Sequence, residues 1–458
     1  MPSLVVETVR GRSLAELRTA RDRARAADMV ELRLDGVSDL DVAGALADRA
    51  KPVIATCRAA WEGGQFDGSE AERLRILADA VRLGAEYVDV EWRADRRGLP
   101  VNDRTQIVLS HHDFSGVPAD LAERVRAMQG ETADVVKVSV GATRLGDCLR
   151  LRDLDWGGRR HVAIAMGPTG QVTRLCPGLF GSSWTYGGSA APGQTAVDDL
   201  LHVYRVPRQS AKTAIYAIGG APLGHSASPA MHNPAFAALE IDAVYVPLET
   251  ADADEFLEVA EAIGVSGASI TAPLKASLFA RVPVADDLTK RIGALNTLRR
   301  QPAGSWEARN FDPAGFFSPL EARARNLAGA RAVVLGAGGA ARTVVRTLAG
   351  AGAAVEIAAR RRDRADLLAA EFGVRAVPWP PAPGWDLLVN TTPVGTRPAV
   401  NESPLAQDDV RGGCVYDLIY NPPETLLLRW ARDAGAEVIG GLEMLVGQAG
   451  HQFEWWTS

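Results

Sequence analysis

The sequence predicts an α/β protein: an N-terminal (β/α)8 (TIM-type) barrel, followed by a second α/β half that contains an open parallel sheet. Three observations carry this. Eight short apolar runs recur between residues 4 and 184 with helical stretches between them. The polar, proline-containing segment Val206–Lys212 then interrupts the rhythm, and the alternation restarts at Ala214–Gly219. Further on, the glycine-rich run Val333–Arg342 reads as strand, tight turn and helix. With 458 residues, the chain is longer than one hydrophobic core organises.

The apolar runs are Leu4–Val9, Met29–Leu34, Val53–Cys57, Tyr87–Trp92, Ile107–His111, Val135–Val140, His161–Met166 and Leu179–Trp184. Segments such as Leu14–Ala27 and Ala71–Leu83 carry apolar residues at helical spacing among charges, as helices packed on one face do. Eight strands alternating with helices over about 200 residues suit a closed barrel. The expected domains are 1–207 for the barrel, 213–319 for a second domain completed by a C-terminal helix over 442–458, and 320–441 for the open sheet. The amphipathic stretch Leu442–Trp456 is expected to fold back onto the region before residue 320.

Composition narrows the function. A formal net charge of −6 offers no basic footprint for nucleic acid. Cys57, Cys148, Cys176 and Cys414 form no CxxC pair and read as reduced thiols. No apolar stretch approaches a membrane span, and Met1–Glu7 shows no leader pattern, so a cytoplasmic protein is expected. No metal-ligand cluster is visible.

Lys137 is out of place chemically. It lies in Ala133-Asp134-Val135-Val136-Lys137-Val138-Ser139-Val140, a β-branched run that reads as a buried strand. Burying an ammonium costs free energy unless it is paired or deprotonated, and a neutral lysine is the usual nucleophile toward ketones. Other strand ends carry polar groups that packing does not require: Glu31 and Arg33 alternate with leucines, Arg58 and Glu62 follow strand three, and His111-His112-Asp113 closes strand five. Arg174 follows strand seven, and Gln194 follows strand eight. Guanidiniums here are expected to lower the lysine's pKa and to clamp a carboxylate substrate.

In order, the motifs ELRLD, TCRAAWEGG, SHHDF, VVKVSV and APGQ make residues 4–204 resemble type I 3-dehydroquinate dehydratase. The resemblance implies Lys137 as the Schiff-base lysine, His112 rather than His111 as general acid/base, and Glu62 as its carboxylate partner. It implies Glu31, Arg33, Arg58, Arg174 and Gln194 as substrate contacts. One departure is Ala190, with Ser189 beside it, where the family tends to place serine.

In the second half, Gly336, Gly338 and Ala341 fit the G-x-G-x-x-G/A fingerprint, in which glycines let the backbone approach a pyrophosphate at a helix N-terminus. The next strand ends in Arg360-Arg361-Arg362-Asp363-Arg364 instead of a lone carboxylate, which favours NADP over NAD. Lys275 and Asp312 make a plausible acid/base pair beside a secondary alcohol. With GHSASPAMHN, SITAPLK and ALNT upstream, residues 214–456 resemble shikimate dehydrogenase. By that resemblance Ser226, Ser228, Thr271, Asn296, Tyr420 and Gln448 bind substrate. Lys275 and Asp312 are the catalytic pair, and Gly338, Gly339, Arg360 and Arg364 hold NADP. Gly336 and Ala340 in the glycine run are expected to hold the cofactor with them, and Asn390 and Thr391 to end a later strand under the nicotinamide ribose. Phe311 departs from the threonine usual before that aspartate.

The product of the first reaction is the substrate of the second. The expected function is a bifunctional enzyme that dehydrates 3-dehydroquinate to 3-dehydroshikimate and reduces that to shikimate with NADPH. The alternatives are a quinate-using dehydrogenase half or a non-catalytic ligand sensor.

Overall fold

The computed structural model describes residues 3–100, 102–188, 194–224 and 226–458. Ser189, Ala190 and the Ala191-Pro192-Gly193 part of APGQ lie outside the described residues. Two compact units make up the chain, Met1–Leu274 and Lys275–Ser458.

The first unit begins with eight parallel strands: β1 (Leu4–Val9), β2 (Met29–Arg33), β3 (Val53–Thr56), β4 (Tyr87–Glu91), β5 (Gln106–Asp113), β6 (Val135–Gly141), β7 (His161–Met166) and β8 (Trp184–Gly187). They run in the order β7-β6-β5-β4-β3-β2-β1-β8. The seam between β7 and β8 is bridged just before β8, where Ser183 N–H donates to His161 O (2.8 Å). Ala163 N–H likewise donates to Ser182 Oγ (3.0 Å). The sheet is therefore a near-closed barrel. The eighth strand starts later than its apolar run suggests. Pro177, Gly178 and Gly181 turn Pro177–Phe180 into a 3-10 turn, and the chain becomes extended at Trp184.

Alternation along the strands sorts the barrel interior into layers. Val6, Met29, Ile54, Val108, Val135, Val162 and Trp184 form an apolar floor. Two residues further along their strands come Thr8, Glu31, Thr56, Ser110 and Lys137, with Asp89 two beyond Tyr87, all buried. An apolar floor closes one end of the barrel, so this polar layer can open only toward the C-terminal ends of the strands.

After the barrel, β9 (Ala214–Gly220), β10 (Ala243–Glu249) and β11 (Val265–Ile270) form a parallel layer with β9 in the middle. Helices Ser228–Ala238 and Ala253–Ala262 connect these strands.

In the second unit, β12 (Thr297–Arg300) and β13 (Trp306–Arg309) pair antiparallel. Six parallel strands follow: β14 (Arg331–Leu335), β15 (Ala354–Ala358), β16 (Arg375–Val377), β17 (Trp385–Asn390), β18 (Gly412–Asp417) and β19 (Glu437–Gly440). Their order β16-β15-β14-β17-β18-β19 reverses direction at β14/β17, the crevice where open α/β sheets bind ligands. The terminal helix Gly441–Thr457 packs on helix Asp312–Ala322 at a crossing so close that a Cβ on Gly315 would fall 2.6 Å from Gln448 Cβ. The same helix reaches β12, where Gln452 Nε2 donates to Thr297 Oγ1 (2.8 Å) and Trp456 Nε1 donates to Leu298 O (2.9 Å). Among the described residues, no helix is long and apolar enough to cross a membrane.

Candidate active sites

Lys137 sits mid-β6 with 4% exposure, facing the barrel interior. Its Nζ donates to Asp89 Oδ2 (3.0 Å), lies 3.6 Å from Glu31 Oε1, and stands 4.3 Å over the Tyr186 ring. Burial alone would push the amine down, but Asp89, Tyr186 and Glu31 together raise its pKa above the ordinary lysine range. This corrects the expectation of an amine kept neutral by guanidiniums. Arg58, the nearest of them, is itself neutralised: it donates to Asp89 Oδ1 (2.8 Å), Glu91 Oε1 (3.0 Å) and Ser110 Oγ (2.8 Å). The resting site therefore holds its lysine charged.

On β5, Ser110 pairs across from Lys137, and His112 follows two residues on, on the same face. Glu62 Oε2 accepts from His112 Nδ1 (2.9 Å) and from the His112 backbone N–H (3.1 Å). Burial opposes ionisation of Glu62, yet the two imidazoles that face it, His111 and His112, with the Arg58 charge, bring its carboxyl down to about 2. Burial, seconded by the Arg58 charge, brings His112 down to about 4. A carboxylate can only accept, so Nδ1 carries the proton and Nε2 keeps the lone pair of a base.

The remaining barrel candidates divide into paired and unpaired groups. Glu31 accepts from Thr8 Oγ1 (2.8 Å) and Thr56 Oγ1 (3.0 Å), and its acidity is strengthened by Lys137 despite burial. Arg33 forms a two-pronged pair with Asp35, both contacts at 2.8 Å. Gln194, half-buried beyond β8, has its amide oxygen beside Gly188. Arg174 differs from all of these. On the short helix Val172–Leu175, it is 5% exposed, and its Nη1 makes only a long contact with Ala165 O, at 3.4 Å. No carboxylate among the described residues pairs with it, its Nε is unpartnered, and burial alone lowers its pKa to about 10. A buried guanidinium without a counter-ion is costly unless an anion arrives to complete it.

Sequence reasoning missed Asp89 and Tyr186. The signal was present in Tyr87-Val88-Asp89-Val90-Glu91, which alternates as Glu31/Arg33 does, and in Trp184-Thr185-Tyr186.

In the first unit, Ser228 opens its helix and donates N–H to Ser226 Oγ (3.3 Å). Burial weakens the acidity of the Tyr245 phenol, and the nearby Ser269 and Ser228 act in the opposite direction. Thr271 follows β11, and its methyl packs so tightly on Gly220 that a Cβ there would lie at 2.4 Å.

In the second unit, Lys275 Nζ donates to Asp312 Oδ2 (2.5 Å), and Asn296 Nδ2 donates to Asp312 Oδ1 (2.7 Å) and Gln448 Oε1 (3.3 Å). Lys275, Asn296, Asp312 and Gln448 are thus one connected cluster. Phe311 leaves it intact: its N–H donates to Asn296 Oδ1 (2.8 Å), and its ring stacks on His451 and meets Trp455 edge-on. Tyr420, half-buried, lies three residues past β18, and burial raises its pKa.

At the sheet's switch point, a cleft of about 250 Å³ is lined by Gly336, Gly338, Arg360, Arg361, Arg364, Trp379 and Thr391, among others. Gly336 has φ +112°, and a Cβ there would strike Thr391 Oγ1 at 2.7 Å; in front of Gly338 and Gly339 a Cβ meets nothing within 4 Å. Thr391 Oγ1 is tied to Leu335 O (2.7 Å), and Asn390 is buried at the end of β17. Ala340 lies in the first turn of helix Gly339–Gly350. Glu356 is bound to Arg331 (2.9 Å) and Arg375, away from the cleft lining. Bare glycine backbone, a helix N-terminus and three arginines fit a phosphorylated dinucleotide with an extra phosphate. Trp379 is a further lining residue that sequence reasoning missed.

A barrel with a buried lysine beside a His–Glu dyad, followed by a helix-borne Lys–Asp pair and a nucleotide-type sheet, defines a lyase joined to an oxidoreductase. Residues 5–211 match the type I 3-dehydroquinase family, 218–298 the shikimate dehydrogenase substrate binding domain, and 320–380 the shikimate/quinate 5-dehydrogenase family. The chloroplastic bifunctional 3-dehydroquinate dehydratase/shikimate dehydrogenase of Arabidopsis thaliana is 33% identical over 496 aligned positions, covering 100% of this chain and 82% of that protein. The NADP(+) shikimate dehydrogenase of Moorella thermoacetica is 39% identical over 54% of this chain and 89% of its own. The crystal structure of a Thermus thermophilus shikimate 5-dehydrogenase with NADP(H) and shikimate is 37% identical, with a TM-score of 0.50, over 53% of this chain and 93% of that one. The chain belongs to the bifunctional 3-dehydroquinate dehydratase/shikimate dehydrogenase family.

Proposed function

We propose that the barrel performs its dehydration through an imine on Lys137, with His112 as the proton carrier and Glu62 as its orienting partner. The observation that carries this reading is Lys137 and His112 on the neighbouring strands β6 and β5, with Glu62 bound to His112, above an apolar floor. The unpaired guanidinium of Arg174 supplies the counter-charge for the carboxylate of 3-dehydroquinate.

The amine is charged at rest, so attack requires loss of a proton, and the His112 Nε2 lone pair is the acceptor. The neutral amine adds to the ketone, and His112 returns its proton to the carbinolamine oxygen, which departs as water. The resulting iminium acidifies the adjacent carbon. His112 takes that proton and delivers it to the leaving hydroxyl. Hydrolysis of the imine frees 3-dehydroshikimate and restores Lys137. One molecule of water is lost overall. Asp89 and Glu31, which hold the ammonium at rest, also stabilise the iminium, and Arg33, Arg58 and Gln194 complete the substrate's surroundings.

In the oxidoreductase half, Gly336, Gly338, Gly339 and Ala340 would hold the pyrophosphate of NADP, Arg360 and Arg364 its 2′-phosphate, and Asn390 and Thr391 the nicotinamide ribose. When bound, the reduced cofactor supplies a hydride to the ketone of 3-dehydroshikimate. Lys275 and Asp312 supply the proton to the nascent alcohol oxygen, and Asn296 holds Asp312 in place. Ser226, Ser228, Thr271, Tyr420 and Gln448 are substrate contacts in this reading. The functional domains are 1–207, 213–319 with 442–458, and 320–441. Four buried, unpaired thiols accord with a reducing, cytoplasmic setting.

Borohydride added with dehydroquinate tests the first half. A reduced adduct on the Lys137 peptide is expected by mass spectrometry; an unmodified peptide at full turnover rules out the imine.

A further inference from the structure

Glu62 has a second histidine behind it. His111, 3% exposed on β5, places Nδ1 3.6 Å from Glu62 Oε1, too long for a full hydrogen bond. Its Nε2 lies 3.1 Å from Arg124 Nη1, on helix Leu121–Gln129. A guanidinium has only donors, so His111 Nε2 must present its lone pair, and the ring proton sits on Nδ1, facing the carboxylate. The two Glu62 oxygens therefore face different imidazoles: Oε2 accepts from His112 Nδ1 at 2.9 Å, and Oε1 has His111 Nδ1, which makes no hydrogen bond, 3.6 Å away as an electrostatic neighbour.

We infer that Arg124 is a positioning residue for the dehydration: it locks His111 as an Nδ1–H donor, and His111 in turn keeps Glu62 from rotating away from His112. Arg124 is braced for this, with Nε on Asp120 Oδ1 at 2.9 Å and Nη1 3.7 Å from Asp113 Oδ2. Trp92 covers the His111 ring edge-on at 6.3 Å between centroids. The ring is thus held in place while its tautomer is set from one side. If His111 turned to the other tautomer, a lone pair would face the Glu62 carboxylate, and repulsion would turn the carboxylate and loosen the 2.9 Å bond to His112. Other charges also face this group: Arg58 from the end of β3, Asp89 on β4, Lys137 on β6, and Asp113 on β5 itself. The inference rests on the proposed roles of His112 and Glu62.

The test uses the full-length protein labelled with 15N-histidine, with Arg124→Met and Arg124→Lys. In the wild type, two rings, His111 and His112, should show their proton on Nδ1, and Arg124→Met should abolish the His111 signature while that of His112 persists. Dehydration kcat/KM should fall about tenfold in Arg124→Met, as loss of one charge-assisted contact implies. Its acid limb should move to higher pH, because Glu62 loses the N–H dipole facing Oε1 and the site loses a cation. Arg124→Lys, still donor-only, should restore both. NADP-dependent shikimate oxidation, unchanged, reports that the chain is folded. A wild-type His111 protonated at Nε2, or an acid limb unmoved in Arg124→Met, overturns the lock. Glu62→Gln separates the two ideas: wild-type dehydration in that variant removes the underlying reading, whereas a slow Glu62→Gln beside a normal Arg124→Met removes only the lock.

Discussion

Asp89→Asn is the most informative single change in the barrel. Asp89 is fully buried between two cations, with Oδ2 3.0 Å from Lys137 Nζ and Oδ1 2.8 Å from Arg58 Nη2. At 3.0 Å and an effective dielectric near 20, the Lys137 attraction is about 5 kcal/mol. Removing the Asp89 charge removes that preference for the charged amine, at most about four pKa units, and leaves Glu31 at 3.6 Å as the remaining carboxylate partner. Burial, the largest influence on Lys137, is then opposed by Tyr186 and Glu31 without Asp89 and draws the amine down toward neutrality. The variant should therefore label at Lys137 with a small amine-reactive reagent at lower pH than wild type, read peptide by peptide by mass spectrometry. The barrel should also lose about 3–5 kcal/mol of stability, because Arg58 and Lys137 are left facing each other without the carboxylate. Asp89 has its acidity strengthened in the fold, chiefly by Arg58 and then Lys137 against the cost of burial. Its stabilisation is therefore complete above the ordinary carboxylate pKa of about 4 and fades in stronger acid. The gap between wild type and variant should shrink below that pH. An Asn variant whose Lys137 titrates as in wild type would show that Asp89 does not govern the nucleophile.

Arg174→Met should raise the dehydroquinate KM by about a hundredfold through loss of two charge-assisted hydrogen bonds. The same change should stabilise the unliganded barrel by about 1–3 kcal/mol, since it removes an unpaired buried charge; steady-state kinetics and denaturant melts read the two effects. With His112 lowered to about 4, dehydration kcat/KM should stay level as pH falls past about 6 and decline only near 4; a midpoint near the ordinary histidine value of about 6.5 would mean the ring is not buried. Asp312→Asn should abolish NADPH oxidation and leave dehydration intact, because Lys275, Asn296 and Asp312 form a cluster wholly within the second unit. Loss of both activities would refute independent sites.

Much of this was readable along the chain. Strand alternation in Glu31-Leu32-Arg33 and Val135-Val136-Lys137 put charge on interior faces, because a period of two admits no other arrangement beside buried leucines and valines. The glycine run disclosed its turn, because at φ +112° Gly336 leaves no room for a side chain. The start of β8 was misplaced because Leu179 and Phe180 are as apolar as a strand residue; only the neighbouring Pro177, Gly178 and Gly181 mark the turn.

What the tertiary structure alone decided is which charges cancel. Arg58 follows β3, Asp89 and Glu91 share β4, and Arg73 sits on helix Glu70–Arg82; their pairing distances have no trace in local sequence. Electrostatic energy falls with distance in space, whereas sequence patterns report only separation along the chain. The residue types at Lys137 and Arg174 were therefore legible from the start. Their states, one ammonium held by carboxylates and one guanidinium left without a partner, were set when the barrel brought distant strands within a few ångströms.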